Sequence, residues 1–170
     1  MLTNRDIAKI FETCADLLQL KGENIHRYLS YRRAAETIRE LPRDLRAISA
    51  ENGLEALPNI GKTLADKINE MLKYGKLAFY EKLIKEIPLG LVDIMNINGV
   101  GPKKAMLFYQ ELGITTVEAL KEAGLAGKLR GLAGMGEKSE KKVLDGIEAL
   151  DRQTGRISIG IALPSAQALL

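Results

Sequence analysis

Ile97-Asn98-Gly99-Val100-Gly101-Pro102-Lys103-Lys104-Ala105 is the stretch on which the fold class turns. Glycine has no Cβ, so its backbone can take positive φ and let a ligand come close. Pro102 at a first helical position is preorganised for a helix start. Such a helix presents unpaired N–H groups at its N-terminus, where its dipole favours an anion. Two amides and a helix end together make a phosphate seat that ignores base identity. The same order of residues occurs twice more, as Leu57-Pro58-Asn59-Ile60-Gly61 and Leu132-Ala133-Gly134-Met135-Gly136. The final glycines lie 40 and 35 residues apart, a spacing that marks a repeated supersecondary unit. Asn59 replaces the first glycine of the first copy, and Asn tolerates the left-handed region. Lys62, Lys103 and Lys138 follow the three turns.

The rest of the chain reads as helix. Leu occurs 26 times and Val only 4, against the β-branched preference of strands. Thr3 and Asp6 resemble a capping box, followed by Ile7, Ile10, Phe11, Cys14, Leu17 and Leu18 at helical spacing, with Gly22 as the stop. Cys14 falls on that apolar face and reads as a small core residue. Asn24 caps a second helix expected to reach Leu41 before Pro42. A short helical region is expected over 44–56. Leu64, Ile68, Met71 and Leu72 form a stripe after the first turn, Ala105, Phe108 and Leu112 after the second, and Val143, Ile147 and Leu150 after the third. Gly75, Gly113 and Gly124 are expected at helix ends, and Thr115 with Glu118 as a further cap. From Gly155 the pattern changes to Ile157, Ile159 and Ile161, then Pro164. The expected fold class is all-α, two small helical domains with repeated hairpin turns.

Composition narrows the function. The chain has 170 residues, 46% hydrophobic and 28% charged, which is ordinary for a globular protein. One Cys forbids an internal disulfide, and one Cys with one His cannot build a zinc site of about four ligands. The N-terminus lacks the apolar core of a signal peptide. No uncharged stretch reaches the roughly 20 residues of a membrane span. A cytoplasmic location without membrane contact is expected. The net charge is only +3, yet residues 21–46 hold 7 basic against 4 acidic side chains, and residues 62–85 hold 6 against 3. The surplus flanks the first turn.

These residues carry a resemblance. The repeated turn resembles the helix-hairpin-helix motif, a binder of DNA backbone. The whole chain resembles the N-terminal part of family X DNA polymerases, its bacterial members most closely. The carrying segments are Asn4 to Phe11, Lys21-Gly22-Glu23-Asn24, Tyr31-Arg32-Arg33-Ala34-Ala35, Leu57 to Lys67, Gly99 to Ala105 and Gly136-Glu137-Lys138. The resemblance implies a lyase-type DNA-end-binding domain over 1–88, a helix-hairpin-helix fingers domain over 89–150, and the start of a truncated palm domain over 151–170. The family's palm holds Mg2+ through D-x-D and a third Asp, and this chain has no D-x-D. It is therefore expected to be a piece that does not polymerise by itself.

The family also performs a 5′-deoxyribose-phosphate lyase reaction, in which a Lys attacks the C1′ aldehyde to form a Schiff base. Alignment on Leu57 to Ile68 puts that role on Lys67, with no cofactor required. A nucleophilic amine must be neutral, which neighbouring cations or burial promote. The resemblance places His26, Arg27 and Tyr31 in a 5′-phosphate pocket, with Arg32, Arg33 and Lys62 as neighbours. His26 could instead stack on a base or cap its helix. Gly61, Gly99, Gly101, Gly134 and Gly136, with Lys103, Lys104 and Lys138, are the expected phosphate contacts of the hairpins. A monovalent cation, Na+ or K+, would be held by the backbone carbonyls of Leu57 and Ile60 and of Ile97 and Val100. The expected partners are gapped, nicked or abasic double-stranded DNA and the palm domain of the parent polymerase, with the chain a monomer. Two other readings stand beside this one: a DNA-binding module without chemistry, in which Lys67 is a solvated lysine or pairs with Asp66 or Glu70, and a helical protein-interaction domain, in which the glycines are packing corners.

Overall fold

The computed structural model describes the backbone of residues 1–159 and the side chains of residues 1–152. Among them there is no strand; the order is α1 (Asn4–Leu20), α2 (Ile25–Arg39), α3 (Leu45–Ala50), a 3-10 turn (Leu54–Ala56), α4 (Lys62–Tyr74), α5 (Ala78–Glu86), α6 (Gly90–Met95), α7 (Gly101–Leu112), α8 (Val117–Leu125) and α9 (Glu137–Ile159). The protein is all-α. It forms two compact units, Met1–Val92 and a second beginning at Asp93.

The first unit is built on α1 and α2, which pack along their lengths. Thr3 Oγ1 accepts from Asp6 N–H at 3.2 Å, and the Asp6 carboxylate accepts from Thr3 N–H at 2.9 Å, completing the capping box. Gly22, at φ +80, ends α1 with the N–H of Gly22 and Glu23 reaching back to Gln19 and Leu18, a Schellman motif. Ile7, Phe11, Cys14, Leu17 and Leu18 are buried on α1, and Tyr31, Ala34, Ala35 and Ile38 on α2. Burial pushes the Cys14 thiol up to about 12, consistent with a core residue. Asn24 Oδ1 accepts from His26 N–H to cap α2. The helix stops at Arg39 rather than Leu41, because Pro42 biases the residues before it away from α geometry. Asn4 clamps the start of α3, donating to the Arg43 carbonyl at 2.8 Å and accepting from Leu45 N–H at 2.9 Å. The helix expected over 44–56 breaks after Ala50, where Asn52 turns left-handed at φ +56, and resumes as one 3-10 turn.

The second unit buries Ala105, Phe108, Leu120, Leu129, Val143 and Ile147. Leu112 is 37% exposed and does not continue the α7 stripe inward. Thr116, one residue beyond the expected cap, accepts from Ala119 N–H at 3.0 Å. Gly124 is the penultimate residue of α8, in its last turn as expected. A Cβ there would meet Leu144 Cδ2 at 2.7 Å, and Gly127 at φ +76 provides the left-handed stop. The loop before α9 is tied down by Glu140, only 2% exposed, whose carboxylate accepts from Arg130 N–H, Nε and Nη2. α9 runs unbroken across Leu150 and Asp151, and its backbone is helical through Ile157 and Ile159, where the alternating apolar residues had suggested a change of pattern. The remaining residues of the expected 151–170 palm segment, 160–170, lie outside the described residues.

Candidate nucleic-acid interface

Each of the three repeated stretches folds into the same turn. The carbonyl of Leu57 accepts from Ile60 N–H at 3.2 Å, that of Ile97 from Val100 N–H at 3.0 Å, and that of Leu132 from Met135 N–H at 3.0 Å. The third residue of each turn is left-handed: Asn59 at φ +66, Gly99 at φ +93 and Gly134 at φ +76. This is the type II pattern, and it explains both Pro58 at the second position and Asn or Gly at the third. Ile60 and Val100 then bury their side chains and anchor the turns. The closing glycines are not alike. Gly101 has φ +75, whereas Gly61 is extended at φ −90, ψ −172, and Gly136 is not left-handed.

What the closing glycines share is open space. A Cβ at Gly61, Gly101, Gly134 or Gly136 would have no atom within 4 Å. The packing glycines of the second unit differ sharply: at Gly146 a Cβ would come 2.4 Å from the Asn98 carbonyl. These four glycines therefore do not serve helix packing and leave backbone uncovered, whereas a Cβ on Gly99 would touch Lys142 at 3.6 Å. Gly61 caps α4, and neither α4 nor α7 has a side-chain cap, so no side chain occupies their first-turn N–H groups. Lys62, Lys103 and Lys138 are exposed beside these helix starts. Lys104 instead folds back, its Nζ donating to the Gly99 carbonyl at 3.3 Å. That contact shows the second turn offering a carbonyl oxygen to a cation. The Leu57 and Ile97 carbonyls each keep a second lone pair beyond the turn hydrogen bond. Beside this turn lies a cleft of about 280 Å³ lined by Asn98, Gly99, Lys142, Asp145, Gly146 and Ala149. Lys142 carried no signal in the sequence, because its place depends on α9 packing against the turn.

In the first unit the turn docks on α2, with Asn59 Nδ2 donating to Thr37 Oγ1 at 3.3 Å. His26, Arg33 and Thr37 follow at helical spacing, so one α2 face leads to the hairpin. His26 and Arg33 are exposed, and among the described residues neither is in an ion pair. Arg32, expected at this site, is turned to α1: it donates to Asp16 at 2.8 Å and to Gln19 at 2.6 Å, and covers the Tyr28 ring. Its charge is already matched. Tyr31, expected in the phosphate pocket, is a core residue, 4% exposed between Phe11 and Phe79. Burial pushes its phenol up to about 12, in keeping with a core position.

Phe79 draws the rest together. Its ring stacks on Tyr31 at 5.7 Å, Lys67 Nζ lies 4.8 Å from its centroid, and the Arg27 guanidinium lies 5.6 Å from it. Arg27 also pairs with Glu23 at 3.0 Å. Lys67 does not pair with Asp66 or Glu70; the Glu70 carboxylate accepts from Ala78 N–H instead. The structure thus groups Arg27, Tyr31 and Lys67, leaves His26, Arg33 and Lys62 on the exposed surface, and removes Arg32. Phe79 went unrecognised because nothing local to α5 distinguishes it from an ordinary apolar position.

Residues 2–77 match the family model described as a helix-hairpin-helix domain, and residues 91–149 match a SAM-like helix-hairpin-helix tandem. The chain is 38% identical over 165 residues to the DNA polymerase/3′-5′ exonuclease PolX of Bacillus subtilis (strain 168), covering 97% of this chain and 28% of that protein. It is 31% identical over 119 residues to DNA polymerase lambda of Arabidopsis thaliana, covering 69% of this chain and 22% of that one. The chain thus spans about a quarter of the length of these relatives. The repeated turns, the helices they open and the near-complete alignment agree, and the chain belongs to the family X DNA polymerases as their N-terminal helix-hairpin-helix region.

Proposed function

We propose that this region binds gapped or nicked double-stranded DNA through its phosphates, without sequence preference, for a repair polymerase whose palm does the nucleotidyl transfer. The observation that carries the reading is the uncovered backbone of the hairpins. Three type II turns lead to helix starts where no side chain stands over the closing glycine, and a lysine stands beside each. An anion that accepts from uncapped N–H groups and meets an exposed lysine is a phosphate oxygen more readily than a base edge. The exposed His26 and Arg33 extend the same surface along α2 in the first unit. A monovalent cation on the turn carbonyls would bridge the hairpin to a phosphate oxygen. The ion would supply positive charge where the backbone has none.

The same reading gives Lys67 the Schiff-base role at a 5′-deoxyribose phosphate. The absence of an ion-pair partner for Lys67 among the described residues supports it; Arg27 lies over the same ring, where a phosphate would compete with Glu23 for its guanidinium. The amine lone pair would attack the C1′ aldehyde, and the carbonyl oxygen would leave as water. β-Elimination would then remove a C2′ proton and break the C3′–O bond, leaving the DNA with a 5′-phosphate, and water would hydrolyse the imine to free the sugar and the lysine.

The test of DNA binding is a salt titration. If about five phosphates are neutralised, affinity for a gapped, 5′-phosphorylated duplex falls by a few hundredfold, roughly, between 50 and 200 mM salt. Affinity that stays flat over that range overturns the phosphate reading.

A further inference from the structure

Among the clefts, charge clusters and exposed aromatics outside the hairpins, the contacts of Phe79 carry furthest. Phe79 is half-buried on α5, and three side chains converge on its ring from two other helices: Tyr31 and Arg27 from α2, and Lys67 from α4. Lys67 Nζ, at 4.8 Å from the centroid, is well inside cation–π range. With no carboxylate holding Lys67 among the described residues, the ring is the contact that fixes its amine.

We infer that Phe79 is a positioning residue for Lys67: its ring face sets where the amine sits, next to Arg27. The inference rests on Lys67 as the Schiff-base amine of the proposed function. Its physical content is separable, however. The ring also covers one side of the amine, so it limits how freely a small aldehyde reaches the nitrogen. The same face narrows where the side chain can point, which favours one attack geometry. Removing the ring should therefore act in opposite directions on two reactions of one lysine. A small aldehyde, which needs no orientation, should react faster. An aldehyde anchored on DNA, whose phosphate is held beside Arg27, should react more slowly. In both cases the amine nitrogen forms the C–N bond, the carbonyl oxygen leaves as water, and hydride from the reductant adds to the imine carbon to give a secondary amine.

The experiment compares the wild-type chain with Phe79→Leu, Phe79→Met and Phe79→Tyr. Reductive methylation with formaldehyde and cyanoborohydride is followed at each lysine by peptide mass spectrometry, with exposed Lys9 as internal reference. Borohydride trapping on a duplex with a 5′-deoxyribose phosphate is followed in parallel. For Phe79→Leu and Phe79→Met, methylation of Lys67 relative to Lys9 should rise on the order of threefold. Trapping should fall on the order of tenfold. Phe79→Tyr, which keeps an aromatic face, should match wild type in both. A rise in both reactions, a fall in both, or no change at Lys67 overturns the inference; Phe79→Met, which fills the space flexibly, decides where Phe79→Leu does not fold. If the wild-type chain is not trapped on DNA at all, the Schiff-base reading fails. The formaldehyde ratio still decides whether the ring governs the amine.

Discussion

Replacing Gly61 by alanine separates what the hairpin does for the fold from what it does for a ligand. Gly61 has φ −90 and ψ −172, extended backbone that any L residue adopts. A Cβ on it would have nothing within 4 Å. At an N-cap, Ala is poorer than Gly by roughly half a kcal/mol. Against this, Ala narrows the unfolded ensemble and returns about 0.4–1 kcal/mol. The two effects nearly cancel, so Gly61→Ala should move the first unit's stability by less than about 0.5 kcal/mol, or under roughly 3 °C in Tm.

Binding should respond differently. The new methyl group would stand on the uncovered surface where a phosphate is proposed to rest, over the first N–H groups of α4. Loss of one phosphate contact predicts affinity lower on the order of tenfold, about 1.4 kcal/mol, and a salt dependence shallower by about 0.9. Fluorescence anisotropy on a gapped 5′-phosphorylated duplex across a salt series, beside thermal melts, measures both. Asn59→Ala is the control of opposite character. It forces Ala into φ +66 and removes the hydrogen bond to Thr37, so it should cost about 1–2 kcal/mol of stability. A large loss of stability in Gly61→Ala would refute the geometry of the turn. Unchanged affinity and slope with an unchanged melt would refute the proposal that a phosphate sits there.

Gly146→Ala should do the reverse: α9 gains about 1 kcal/mol of helix propensity, but the Cβ lands 2.4 Å from the Asn98 carbonyl and 2.8 Å from Ile97 Cγ2. Overpacking of this kind costs about 1–3 kcal/mol or more, so urea denaturation should show a net loss. Glu140 gives a pH signature. Hydrogen bonds from Arg130 hold its carboxyl below the ordinary carboxylate range, so its stabilisation is present above that range and fades as pH falls through the lowered value. Acid titration followed by circular dichroism should show this loss in the wild type, and Glu140→Gln should be less stable at neutral pH with a flatter acid limb.

Legibility in the sequence follows the range of the interaction. The Thr3–Asp6 box, the Gly22 stop and the Asn24 cap involve residues within five positions of each other, and local rules find them. The type II turns are equally local, so a third-position Asn59 could be read as equivalent to Gly99 and Gly134 before any coordinates. Errors of one residue, as at Thr115 against Thr116, arise where two adjacent hydroxyls can each cap and only the following helix chooses. Gly124 does stand in the last turn of α8, but its packing is illegible locally: a helical glycine that packs on Leu144 carries the same signal as one that only ends the helix. At the candidate site the decisive contacts span tens of positions. Arg32 and Arg33 are neighbours of the same charge, yet on α1 Asp16 neutralises the first and Gln19 accepts from it, while the second stays outside. Tyr31 and Phe79 are 48 residues apart and meet only because α5 returns to the α1–α2 pair. A resemblance can name Lys67, but the ring that holds it is a property of the packing. The chemistry of the amine therefore has to be tested at Phe79 as well as at Lys67.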